Sequence, residues 1–155
     1  MGVIHVDADA CPVRVEAERV ATRHGMLLFL VSDGGLRPSR NSLVKTVFVP
    51  GGPDAADEWI AGRAGPGDVV VTADIPLAAR CLGAGARVLR PDGTALARNN
   101  MGNALAMRDL MAGLRAADPF RRGSGRAFSK ADRARFLDAL EGAVRKAMRE
   151  APDDG

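Results

Sequence analysis

Short apolar runs alternate with amphipathic stretches over the first ninety residues, and Gly, Pro or Asp stands at nearly every junction. Val3 to Asp7 is an apolar run that stops at a carboxylate, the pattern of a strand reaching its end. Pro12 to His24 follows as a helix: Val13, Ala17, Val20 and Ala21 recur at helical spacing, with Arg14, Glu18 and Arg19 on the other side. Pro12 suits a first helical turn, where no amide hydrogen bond is lost. Gly25 suits the left-handed position that closes a helix, and His24 suits the negative end of the helix dipole.

Met26 to Val31 is continuously apolar, as expected of a strand covered on both faces. Ser32 to Asn41 forms a loop, and Lys45 to Val49 a third strand. Asp54 leads a second helix to about Ala64, where Gly65-Pro66-Gly67 interrupts the chain. Asp68 to Thr72 is a fourth strand around Val69, Val70 and Val71. A third helix runs from about Ile75 to Leu82, and Ala86 to Leu89 is a short fifth strand. The rest is helical, with one helix from Asn99 or Asn100 to about Ala117 and another starting at Ser129. Ser129-x-x-Asp132 is close to a capping box, and Phe136, Leu137, Leu140 and Val144 share one face of the last helix.

Strands alternating with helices predict a three-layer α/β/α fold with a mainly parallel five-stranded sheet, plus two C-terminal helices. The length of 155 residues suits one domain over 1–150, with 151–155 as a disordered tail. No apolar run approaches the ~20 residues of a membrane helix. The opening lacks a basic-then-apolar leader, so a cytoplasmic location and no membrane partner are expected. Two cysteines, Cys11 and Cys81, are too few for a disulfide framework and lack zinc-site spacing. Cys81, inside a helix, is expected to be buried packing.

The net charge of +3 conceals an asymmetry. Residues 1–97 hold ten Lys or Arg against eleven Asp or Glu, whereas residues 98–150 hold twelve against six. An acidic front and a basic back suit a metal-dependent enzyme acting on a polyanion; a solvated pair of Arg-rich helices produces the same numbers.

In a doubly wound sheet, ligands collect at the carboxyl ends of the strands, where the strand order reverses. Asp7 ends the first strand, beside no turn that needs a carboxylate. Asp9, two residues on, is either a second acidic group at that edge or the N-cap of the first helix. Asp54 and Asp57, three apart, share a face of the first turn of the second helix, where acidic residues are favoured without any function. Asp74, in Thr72-Ala73-Asp74, is either an N-cap or a partner for Asp7 if the first and fourth strands are neighbours. Carboxylates brought together repel unless they hold a cation, and hard oxygen ligands favour Mg²⁺ or Mn²⁺. Thr72 can hold a phosphate oxygen or simply cap. Asp68 lies at the opposite edge and is excluded. His5 is expected to be a satisfied core histidine, and Trp59 helix packing.

Val6-Asp7-Ala8-Asp9-Ala10-Cys11-Pro12-Val13, Asp54-Ala55-Ala56-Asp57 and Thr72-Ala73-Asp74-Ile75-Pro76-Leu77-Ala78 resemble the YaiI/YqxD family of bacterial proteins. Arg108-Asp109 with Leu110-Met111, and Phe128-Ser129 with Asp132-Arg133 and Phe136, resemble its C-terminal motifs. The family's activity is not established. Its fold is similar to that of PIN and NYN domains, which are metal-dependent ribonucleases. By that resemblance Asp7, Asp57 and Asp74 take catalytic and metal-ligand roles, with Asp9 and Asp54 as further ligands. The expected function is a Mg²⁺- or Mn²⁺-dependent endoribonuclease, with Thr72 and basic residues such as Arg108 and Arg126 holding the RNA. Two alternatives stay open. One is a non-catalytic RNA-binding or regulatory module. The other is a haloacid-dehalogenase-like phosphatase, because Asp7-x-Asp9 resembles its nucleophile motif.

Overall fold

The computed structural model describes residues 2–8, 13–34, 36–51, 53–97 and 129–150. Within them lie β1 (Val3–Asp7), α1 (Arg14–His24), β2 (Leu27–Ser32), β3 (Val44–Phe48), α2 (Pro53–Ala61), β4 (Val69–Val71), α3 (Ile75–Gly83), β5 (Arg87–Leu89), β6 (Ala95–Leu96) and α4 (Lys130–Glu150). The sheet runs β3-β2-β1-β4-β5-β6. Every pairing is parallel except the last. The chain therefore steps one way from β1 to β2 and β3, then crosses back to place β4 on the other side of β1. Right-handed crossovers require helices on opposite faces when the direction of winding changes. Accordingly α1 packs on one face, and α2 and α3 on the other.

Side-chain alternation along the strands divides the core. Ile4, Val6, Leu28, Leu30, Val69, Val71 and Leu89 face a cluster completed by Val13, Ala17 and Val20, and by Phe136, Leu140, Val144 and Ala147 of α4. Val31, Val70 and Val88 face the opposite cluster with Ala56, Ile60, Leu77, Ala78 and Cys81. Every one of these side chains is fully or almost fully buried. Burying apolar area at about 25 cal/mol per Å² is what drives the layers together.

The three-layer fold and its mainly parallel sheet agree with the sequence pattern; the strand count does not. A sixth strand, β6, pairs antiparallel with β5 through Val88↔Leu96 and Leu89↔Ala95. It forms because Arg90-Pro91-Asp92-Gly93 makes a tight turn, with the Gly93 amide donating to the Arg90 carbonyl at 2.9 Å. Proline second and glycine fourth fit such a turn. The second helix ends at Ala61 rather than Ala64. Gly62 is a poor helix former, and Arg63 and Ala64 both donate to the Ile60 carbonyl as the helix unwinds. The expected helix over 99–117 and the tail at 151–155 lie outside the described residues.

α4 opens as the sequence predicts. The Ser129 amide donates to Asp132 Oδ2 at 2.9 Å, and the Asp132 amide donates to Ser129 Oγ at 3.1 Å. This is a reciprocal capping box with Asp in place of Glu. Ion pairs then fasten α4 to α1, Arg133 to Glu16 at 3.1 Å and Arg23 to Glu141 at 2.9 Å, and His24 Nε2 hydrogen-bonds Glu141 at 2.6 Å. At the end of α1, Gly25 takes a left-handed conformation, φ 64°, in the C-cap position.

Candidate active site at the reversal of strand order

β1 lies between β2 and β4, so the strand order reverses beside it, at the carboxyl ends of β1 and β4. Asp7 ends β1 and is buried. Val6 pairs with Val71, which brings Asp7 alongside Thr72, the first residue past β4. Thr72 is fully buried, and its hydroxyl donates to Asp7 Oδ2 at 3.1 Å. The Thr72 hydroxyl oxygen in turn accepts the Asp74 amide at 3.0 Å. Asp74 in turn caps α3, its Oδ1 accepting the Leu77 amide at 2.9 Å. Pro76 in the first turn of that helix gives up no bond there. The fourth-strand turn thus does two jobs: it starts α3, and it holds Asp7 and Asp74 in fixed relation through one hydroxyl.

Asp57 approaches from α2, on the face of the sheet that also carries Thr72. Its pKa is pushed up from 3.8 to about 6, first by burial, then by the charges of Asp74 and Asp7, a hydrogen bond with Asp74 and the charge of Asp54. Each neighbouring negative charge disfavours another on Asp57. Asp7, Asp57 and Asp74, from three different elements, therefore share one electrostatic environment. Asp54 is exposed at the start of α2 and acts on Asp57 only through its charge. Asp9, Arg108 and Arg126 lie outside the described residues. The N-cap position of α1 falls to Val13, with no side-chain cap, rather than to Asp9.

The donor chemistry suits a hard cation, since every group is a carboxylate or hydroxyl oxygen. Among the described residues no group of three or more His, Cys, Asp or Glu side chains that could hold a metal ion is found. In kind the aspartates fit such an ion, and Asp9 lies outside the described residues. What the arrangement does supply is a carboxylate whose pKa is close to neutrality. Such a group can accept a proton from water and return it at physiological pH, the requirement for a general base.

Groups outside this site have structural partners. Asp68, at the opposite edge, accepts the amides of Val3 and Gly65 at 2.9 and 3.1 Å and faces His5 Nε2 at 3.3 Å. His5 is buried against Phe29 and Trp59, with ring centroids 5.7 and 6.2 Å away, but its Nδ1 has no hydrogen-bond partner. The expectation of a satisfied core histidine holds for one ring nitrogen only. Trp59 packs edge-on to Phe29 and carries Arg63 over its ring, which leaves it no role as a base platform. Burial pushes the Cys81 thiol up to about 11, so it is not a nucleophile at neutral pH. On α4, Arg133, Arg135 and Arg145 are all engaged by carboxylates.

A doubly wound α/β protein with aspartates gathered at its switch point is the class that fold and site define. The chain belongs to the YaiI/YqxD family: residues 5–146 match the family described as uncharacterized BCR, YaiI/YqxD. It is similar to a UPF0178 protein of Cereibacter sphaeroides, 65% identical over 100% of this chain and 96% of the relative. A UPF0178 protein of Ruegeria pomeroyi is 67% identical over 97% of this chain and 99% of its own length. One from Parvibaculum lavamentivorans is 55% identical, covering 98% and 99%. No solved structure gives a significant match. No helix among the described residues is long and apolar enough to cross a membrane.

Proposed function

We propose that this protein is a hydrolase of RNA phosphodiesters, with Asp7, Asp57 and Asp74 as its working carboxylates. The observation that carries the reading is their convergence at the switch point from β1, α2 and the turn after β4, close enough for Asp7 and Asp74 to raise the pKa of Asp57. A structural cap explains Asp74 alone. It does not explain why two further aspartates from separate elements meet it, against mutual repulsion. In this reading Asp57 takes the proton of the attacking water. Thr72 does not move a proton; it fixes Asp7 and the Asp74 backbone with its one hydroxyl. Arg108 and Arg126 are the proposed strand-binding cations.

The proposed cofactor is Mg²⁺ or Mn²⁺, which would neutralise charge developing on the phosphate. Its proposed ligands are Asp7 and Asp74, with Asp9 and Asp54 as further members, which leaves Asp57 to take the proton. A nuclease restricted to the cytoplasm, acting on RNA and on no membrane component, completes the proposal.

The test is cleavage of a labelled single-stranded RNA with and without Mn²⁺, for the parent chain and for Asp7→Asn and Asp74→Asn. Asparagine caps helices as well as aspartate, so Asp74→Asn removes charge without removing the cap on α3. Loss of cleavage in both folded variants is expected. Undiminished cleavage in either one rejects the assignment. The second reading, an RNA-binding module without catalysis, is favoured by the twelve Lys or Arg against six Asp or Glu in residues 98–150. Salt-sensitive RNA binding with no cleavage at any Mn²⁺ concentration selects it.

A further inference from the structure

Arg90 follows β5 directly, and its side-chain Nε is buried without a hydrogen-bond partner. Buried donors are almost always paired, and each exception calls for an explanation. Two other arginines of the same half of the fold are accounted for. Arg87, three residues earlier, is held by both carboxylate oxygens of Glu150 at 2.6 and 3.1 Å. Arg80 is held by Glu58 at 2.7 and 3.1 Å.

The sheet fixes where Arg90 stands. Val71 pairs with Leu89, and the Thr72 amide donates to the Leu89 carbonyl at 3.0 Å. The next step in register sets Thr72 beside Arg90. Leu89 faces the cluster of α1 and α4, so its successor turns to the opposite face, which carries Asp57. Pro91 reinforces this, because a residue before proline is confined to extended backbone. The turn closed by Gly93 on the Arg90 carbonyl then holds the position. Asp7, Thr72 and Arg90 thus lie in a row across β1, β4 and β5. Two strand spacings separate the ends of the row, about 10 Å between backbones. A phosphate held between the carboxylates and a guanidinium reaching back from β5 would span that distance.

We propose that Arg90 is a phosphate-binding residue of this site, donating from its guanidinium to a non-bridging oxygen of the RNA strand. The choice of RNA rests on the hydrolase reading above; the anion site itself does not. Planar guanidinium donors match phosphate oxygens in pairs, and the unpaired donor is the one a bound phosphate leaves room to satisfy.

The experiment is a titration of inorganic phosphate into the metal-free protein. It follows the Arg90 Nε–H resonance and the affinity in the parent chain, Arg90→Gln, Arg90→Lys and Arg87→Gln. The Nε–H signal is expected to move with phosphate. Arg90→Gln is expected to weaken phosphate binding by about tenfold or more, the scale of a charge-assisted hydrogen bond. Arg90→Lys should recover part of the loss, and Arg87→Gln should match the parent. Equal phosphate affinity in parent and Arg90→Gln, or no phosphate binding by the parent, overturns the proposal. Because no metal and no cleavage enter the titration, a protein inert toward RNA can still support the anion site. Conversely, RNA cleavage that persists at parental kcat/KM in folded Arg90→Gln retires Arg90 and leaves the hydrolase reading standing.

Discussion

Thr72 and Asp7 meet across the seam between β4 and β1, hydroxyl to carboxylate at 3.1 Å, and both are buried. The Thr72 oxygen also receives the Asp74 amide. Thr72→Val keeps the shape and removes both bonds, leaving a buried carboxylate oxygen and an amide without this partner. A loss of about 2 kcal/mol in urea denaturation is expected, with Thr72→Ser close to the parent. If Val were tolerated as well as Ser, the hydroxyl would not be what positions Asp7.

Asp57 connects stability to pH. Its pKa stands near 6 in the folded chain, against an ordinary value of 3.8. Between those values the folded state retains a proton that the unfolded state has released. Stability from this group is therefore full below about pH 4 and is lost as pH rises through about 6. Asp57→Asn removes that loss. The variant is expected to be more stable than the parent at pH 7 by about 1 kcal/mol, reduced from the full linkage value because the carboxylate is half-exposed and screened. The advantage should vanish at pH 4, and a pH-independent difference between the two proteins would contradict this origin.

The same titration sets a rate profile. A general base must be unprotonated, so kcat/KM for RNA cleavage is expected to rise as pH increases through about 6 and then level off. In Asp57→Asn the residual rate should be flat across that range. A limb that survives in Asp57→Asn belongs to another group.

Asp68 predicts the opposite combination of effects. Its carboxylate serves the Val3 and Gly65 amides and faces His5, all at the edge away from the site. Asp68→Ala is expected to cost on the order of 3 kcal/mol, because it orphans several part-buried donors together. At a temperature where the variant is folded, cleavage should be unchanged. Ser129→Ala, which removes half of the α4 capping box, should cost only about 1 kcal/mol by the same denaturation measurement.

Much of this was legible in the chain because parallel strands covered on both faces leave unbroken apolar runs. Met26 to Val31 and Val69 to Val71 announce themselves that way, and the turns between runs place Asp7 and Asp74 at strand ends. The four-residue cap around Ser129 was equally plain, being local. β6 was not legible: two residues, Ala95 and Leu96, carry no period, and only the Arg90–Gly93 turn aims them at β5. Nor was the full burial of Thr72, which depends on β4 lying against β1, a pairing of residues far apart in sequence. The place of Arg90 is hidden in the sequence for the same reason. Its neighbour Thr72 is fixed by sheet order, and in the sequence it looks like any arginine before a turn.

The seam between β1 and β4 is tied at both ends, by the Val3 amide on Asp68 and by Thr72 on Asp7. Both ties join residues 65 apart in the chain, the same offset as the pairing of Ile4 with Val69. They therefore agree on a single register, and sliding one strand by a residue breaks both at once while turning every side chain to the wrong layer. The seam cannot creep; it opens only as a unit. Backbone amides along β1 and β4 should accordingly be among the last in the molecule to exchange with deuterated solvent, and should do so together.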